Sequence, residues 1–295
     1  MLSVQKEKVL RLSLLKKLEM SSDLWKTLGS ELMDLLRLET YPVAVKLLKV
    51  GEKFPSDVRR PLKVLGTKIT LCQAFGMTRR YGWTIGVSEE ECACNVAHIL
   101  FGWATLENGD YFAEFLTNAG FFKDKNVALK GAKLTLEGYS LSPGECSGII
   151  TSPLNRTKID PDVVLVYGNP SHAFILTLGY LYNVGGEVEI QYTGRHASCG
   201  HGVIQTLTER KFNIVLPDEG DKIFAATEDH ELIVALPADM LSDVISGVKG
   251  IYEKRIVRYP TPFYMRFQPE FPEPFKQLGM KLKRRRRNSC CANKV

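Results

Sequence analysis

The run DVVLVYG at 162–168 limits the possible folds more than any other part of this sequence. A strand with one wet face alternates apolar and polar residues. Here Val163, Val164, Leu165, Val166 and Tyr167 follow one another without a break, so both faces of the strand must be covered. That requires a sheet packed between layers, and the flanking sequence supplies them. Gly168-Asn169-Pro170 leads into a helix over 171–183. Further helices are predicted over 4–19, 22–39, 70–81, 88–101, 200–211 and 237–254, with a helical hairpin over 109–133. In the helix over 22–39, Leu24, Leu28, Leu32, Leu35 and Leu36 recur at helical spacing, and Ser21 or Ser22 offers a cap. Strands are predicted over 42–48, 83–87, 148–153, 187–192, 213–217, 222–227 and 231–236. The strand-helix-strand order around 171–183 suggests one right-handed crossover. The expected class is α/β, or mixed α+β: one domain with a mixed sheet flanked by helices and with peripheral N-terminal helices.

Charge divides the chain further. Its net charge is +6, but residues 276–295 hold eight Lys/Arg and no acid, and residues 1–17 hold five against one. The rest carries 26 Lys/Arg against 32 Asp/Glu. The expected division is an N-terminal helical extension over 1–20, a main domain over 21–275 and a basic, disordered tail over 276–295. A nucleic-acid role would rest on the tails alone. KLKRRRR at 281–287 suits RNA, DNA or an anionic membrane surface, although such terminal runs are usually solvated ends. The longest apolar runs, Ile99–Ala104 and Val163–Tyr167, are too short to span a bilayer. The first residues interleave charge with apolar side chains, unlike a secretory signal. The expectation is a soluble, cytoplasmic protein, with a homo-oligomer possible.

Cysteines carry the candidate chemistry. Cys290 and Cys291 fall in the tail, which leaves Cys72, Cys92, Cys94, Cys146 and Cys199 in the body. An odd number without an export signal argues against a disulfide framework. Cys72 opens the helix predicted over 70–81. Ser88 and Glu91 have capping-box spacing, which puts Cys92 and Cys94 in the first turns of the next helix. Helix starts lower thiol pKa values and suit metals or redox chemistry. His98 lies one turn after Cys94 on the same face, and Arg79 and Arg80 close the helix that Cys72 opens. Around Cys199 the order Cys, helix, basic pair, strand, acidic turn returns. This weak internal echo is compatible with a pseudo-twofold arrangement that sets Cys72 opposite Cys199.

The strings YPVAVKLL at 41–48, CQAFGMTRRYG at 72–82, EEECACNVAHILFG at 89–102, PDVVLVYGNP at 161–170 and GDKIF with ELIVALP at 220–237 together resemble domain-of-unknown-function family 169. This is an uncharacterised family of anaerobic bacteria and archaea. The resemblance implies a shared thiol site near Cys72, Cys92 and Cys199, with an iron–sulfur centre as the suspected occupant. It implies no reaction. His196, His201 and the doubled Cys92/Cys94 depart from the family pattern.

The leading expectation is a cytosolic iron–sulfur protein of anaerobic metabolism, acting in electron transfer or reductive chemistry. Its ligands would be Cys72, Cys92, Cys94 and Cys199 around a 4Fe–4S cluster, with Cys146 as a further candidate and Arg79, Arg80 and His98 tuning the site. It would meet a redox partner protein or a small-molecule substrate. One alternative is a binding module for a small molecule or partner in which the cysteines are merely packed. Another is an accessory protein stabilised by zinc through His196, Cys199, His201 and Cys92 or Cys94. Phosphate-loop, dinucleotide and serine-nucleophile motifs do not occur.

Overall fold

Strand alternation builds the core. The computed structural model describes residues 23–106, 108–254, 257–261 and 270–282. The helix expected over 4–19 and the basic run from Lys283 onward lie outside these residues. Six strands, β1 (Val43–Leu48), β2 (Ile85–Ser88), β3 (Gly148–Pro153), β4 (Val163–Gly168), β5 (Asn213–Val215) and β6 (Leu232–Pro237), form one sheet in the order β2-β3-β1-β4-β6-β5. The DVVLVYG strand therefore sits in the middle, between β1 and β6. Val43, Val45, Val163, Leu165, Tyr167, Ile233 and Ala235 point into one buried cluster. Ala44, Val164, Val166, Val234 and Leu236 point into another on the opposite face. Period-two side-chain geometry makes both faces apolar from one uninterrupted run.

The mixed α+β class holds, but every pairing between these strands is antiparallel. Among the described residues parallel pairing occurs only as isolated bridges, Arg59 with Ile85 and Ile69 with Cys92. No crossover forms, because 187–193 contains no strand. That segment alternates like a strand yet is mostly exposed, Ile190 included, and pairs with no strand.

One face is covered by α1 (23–36), α7 (Pro170–Val184) and α10 (Leu241–Glu253), through Leu28, Leu32, Leu36, Ile175, Leu176, Val244 and Val248. Leu24 falls outside this stripe and is exposed. The short α2 (Pro61–Val64) precedes the other layer. That layer comprises α3 (Leu71–Tyr81), α4 (Asn95–Leu100), the hairpin α5 (Gly109–Asn118) with α6 (Lys125–Gly138), a π-helix (Ala197–Gln205) continued by α8 (Thr206–Thr208), and α9 (Glu219–Phe224). The strand expected over 222–227 is thus α9, whose start is fixed by Asp218 accepting from the Asp221 N–H at 3.0 Å. The chain divides into two compact units, Met1–Pro260 and Thr261–Val295. In the second, α11 (Glu273–Lys281) buries no residue and crosses the expected boundary at 275/276. Among the described residues no helix is long and apolar enough to cross a membrane.

Candidate thiol site

Three separate backbone devices bring thiols to one cavity. Thr70 caps α3, accepting from the Gln73 N–H at 3.1 Å while its own N–H donates to the Gln73 side chain at 2.8 Å, so Cys72 stands in the first turn. The Ser88/Glu91 box also forms, but it caps a single 3₁₀ turn, Glu89–Glu91. The chain is then pulled extended. The Ile69 N–H donates to Glu91 O at 3.0 Å, and the Ala93 N–H donates to Ile69 O at 2.8 Å. This bridge beside Cys92 interrupts the helix expected over 88–101, which restarts at Asn95 with Cys94 as its N-cap. Arg60 holds Glu91 in place from the side.

Cys199 comes from the π-helix. His196 precedes it in the left-handed region at φ 57°, and the His201 N–H donates back to His196 O at 3.0 Å, an i to i+5 bond. Two acids satisfy the open N–H groups of its first turn: Ala197 N donates to Asp218 Oδ2 at 2.9 Å, and Ser198 N to Asp221 Oδ2 at 3.2 Å. Asp218 therefore caps this helix and α9 together.

Cys72, Cys94 and Cys199 line one cavity of about 170 Å³. The Cys199 thiol is hydrogen-bonded to the Cys72 sulfur. That contact, then burial and the charges of Cys72, Cys94 and Asp221, push Cys199 well above the ordinary thiol range. The same hydrogen bond lowers Cys72, but burial and the charges of Asp221, Asp218 and Cys94 outweigh it, and the thiol moves up. Burial raises Cys92 to about 11. The lowering expected at helix starts is thus reversed for Cys72 and Cys92: desolvation, with the facing acids at Cys72, exceeds the helix dipole.

The remaining expected residues have other places. Cys92 is buried beside the cavity with its thiol toward Cys94 O at 3.7 Å. Cys146 stands apart from the cavity lining; its thiol faces Gly148 O at 3.3 Å, and burial raises it to about 11. His98 lies 3.2 Å from Cys92 O and packs edge-on to Trp103, off the cavity. Arg80 donates to Ala226 O at 2.5 Å on the surface. His196 lines the cavity, whereas His201 bonds Thr193 and Gln205, each at 2.9 Å, and leans on Tyr139. Among the described residues no three His, Cys, Asp or Glu side chains are grouped to hold a metal ion.

Arg79 reaches the site through a buried chain. Its guanidinium pairs with Glu231 at 2.6 and 2.8 Å and lies 4.4 Å over the Tyr167 ring. Tyr167 Oη meets Ser198 Oγ at 3.0 Å, and Ser198 donates in a short bond to Asp221. Tyr167, Ser198, Asp218 and Asp221 were not among the expected residues. Their one sequence signal was the Asp218-x-x-Asp221 spacing of a helix cap.

Asp221 is fully buried, and burial followed by the Asp218 charge pushes its carboxyl up to about 6. The unfolded chain titrates at the ordinary 3.8. The stability this group contributes is therefore complete below about pH 4 and lost as pH rises through about 6. Between about pH 4 and pH 7 this group is expected to cost the fold roughly 2–3 kcal/mol. Urea unfolding across that range should show the decline in the natural protein and its disappearance in Asp221→Asn.

Residues 31–247 match the model of domain-of-unknown-function family 169, described as uncharacterised ArCR. The uncharacterized protein MJ0308 of Methanocaldococcus jannaschii is 25% identical over 226 residues, covering 75% of this chain and 92% of that protein. No solved structure matches the chain. The matched span runs from α1 into α10 and encloses all six strands and all three cavity thiols, and the chain belongs to domain-of-unknown-function family 169.

Proposed function

We propose that the cavity is a cysteine-ligated centre, best suited to an iron–sulfur cluster held by Cys72, Cys94 and Cys199, in electron transfer or reductive chemistry of anaerobic metabolism. The observation that carries this reading is that three thiols from positions far apart in the chain line one cavity. A soft, all-sulfur donor set suits iron–sulfur clusters, and three thiolates leave one iron free to meet a substrate. Cys92, two residues before Cys94 in the chain, is buried and does not line the cavity. Such a centre would supply one-electron chemistry. The chain's own residues hold the thiols, shield them from water and keep protons on them until a metal displaces those protons. Because Cys72 and Cys199 sit above the ordinary thiol range, iron loading is expected to rise with pH.

The test is the iron and sulfide content of the full chain purified without oxygen. Brown, iron-containing protein is expected, with Cys72→Ser, Cys94→Ser and Cys199→Ser each losing metal and Cys146→Ser keeping it. Colourless, iron-free protein prepared in this way would sink the proposal, and stoichiometric zinc would transfer it to a zinc site. The predominantly apolar wall of the cavity favours a second reading, in which it binds a small molecule and the cysteines are packed around it.

A further inference from the structure

Two adjacent side chains on the cavity wall carry buried nitrogens with no partner. Arg195 is only 8% exposed, and its Nε has no hydrogen-bond acceptor. Its one hydrogen bond from the guanidinium, to Thr193 O, is long at 3.4 Å. Among the described residues it makes no ion pair, and burial alone displaces its pKa, downward. Stacking over Phe122 at 4.5 Å and Phe121 at 5.9 Å offsets part of the desolvation. Among the described residues the positive charge is still without an anionic partner. The next residue, His196, also lines the cavity, and its Nε2 is buried and unpartnered. Burial, then the charges of Arg195 and His201, lowers its pKa to about 3, so the imidazole is neutral.

The nearby acids do not answer Arg195. Asp218 spends both oxygens on the backbone N–H groups of Ala197 and Asp221, and Glu219 is exposed. The rest of the wall includes Val96, Leu100, Phe115, Leu116 and Phe121. We propose that the cavity binds a small organic monocarboxylate, its carboxylate bridging Arg195 and His196 and its apolar body lying against Leu100, Phe115 and Leu116. A single positive charge and a neutral imidazole, with Asp218 and Asp221 close by, suit one negative charge and disfavour a phosphate dianion. The volume of about 170 Å³ suits a ligand of the size of benzoate, since an apolar cavity of about 150 Å³ takes up benzene. Because this ligand takes up the volume a cluster would need, it rests on the second, small-molecule reading above and not on a loaded centre. Its recognition stands on Arg195 and His196.

Titration calorimetry on the reduced, metal-free full chain tests this with benzoate, hexanoate and the uncharged benzamide. Benzoate or hexanoate is expected to bind, and Arg195→Gln to weaken that binding by about 10-fold or more, with benzamide weak in both proteins. His196→Ala is expected to weaken it as well, and Leu100→Trp, which fills the apolar end, to abolish it with Arg195 intact. Each variant's thermal unfolding separates lost binding from lost folding. The proposal is overturned if neither carboxylate binds the natural protein, if benzamide binds as tightly as benzoate, or if folded Arg195→Gln stays within about twofold. Repeating the titration on Cys72→Ser/Cys199→Ser keeps the two readings separate: retained affinity there supports the anion site whatever the iron content of the natural protein.

Discussion

Replacing Arg79 by Met is expected to lower the free energy of unfolding by about 3–5 kcal/mol, the usual cost of stripping one partner from a buried ion pair. The Arg79 side chain is wholly buried, and Glu231 is nearly so. Burial alone would raise Glu231, but the Arg79 hydrogen bonds, the Glu228 N–H and both arginine charges hold it below its ordinary value. It stays ionised, and without Arg79 it keeps only the Arg80 guanidinium at 3.7 Å and the Glu228 N–H at 2.7 Å. Glu231 contributes stability above its unfolded pKa, and the contribution is lost as pH falls through the lower folded value. The penalty of Arg79→Met should therefore shrink in acid, where Glu231 can take a proton. The double variant Arg79→Met/Glu231→Leu should recover most of the loss, because a packed apolar pair avoids both desolvation costs. Guanidinium unfolding of the two variants measures this. A penalty below about 1 kcal/mol for the single variant would mean that water reaches the pair.

Gly247→Ala should destabilise by about 3 kcal/mol, at the upper end of the range for overpacking. Helix propensity argues the opposite, since alanine in a helix interior gains about 1 kcal/mol over glycine. Contact decides the sign. A Cβ on Gly247 in α10 would come to 2.0 Å from the carbonyl oxygen of Gly179 in α7, and a Cβ on Gly179 would meet Val244 O at 2.8 Å. The two helices touch backbone to backbone, so neither can yield by turning a side chain. Separating them would open the layer formed by Leu176, Val244 and Val248. Thermal unfolding at matched protein concentration reads the effect, and a stabilised Gly247→Ala would show that the helices slide freely.

The parts of this fold legible in sequence are those decided locally. The unbroken apolar run Val163–Tyr167 announced a strand covered on both sides, and Thr70 to Tyr81 formed the expected helix with Cys72 in its first turn. What could not be read depends on partners far along the chain. The Ser88/Glu91 box was real, yet the backbone bonds from Ile69 drew Cys92 out of the helix it seemed to begin. Ile223 and Phe224 suggested a strand, although both are exposed on a helix set by Asp218. The π-helix at Cys199 escapes a reading based on 3.6-residue periodicity because its bonds span five residues. Arg195 carries no sequence signal: an arginine is unusual only once its burial and its unpartnered Nε are known.

The parity of the strands gives this protein two nearly independent surfaces to evolve. Odd-numbered positions of β1, β4 and β6 support the thiol layer, and even-numbered positions support α1, α7 and α10. The even side holds none of the cavity residues. Substitutions there act on stability without entering the cavity, so that side can be retuned while the thiol layer is left intact. A library confined to Leu32, Val164, Ile175, Val234 and Val244 is accordingly a route to a hardier protein with unaltered chemistry.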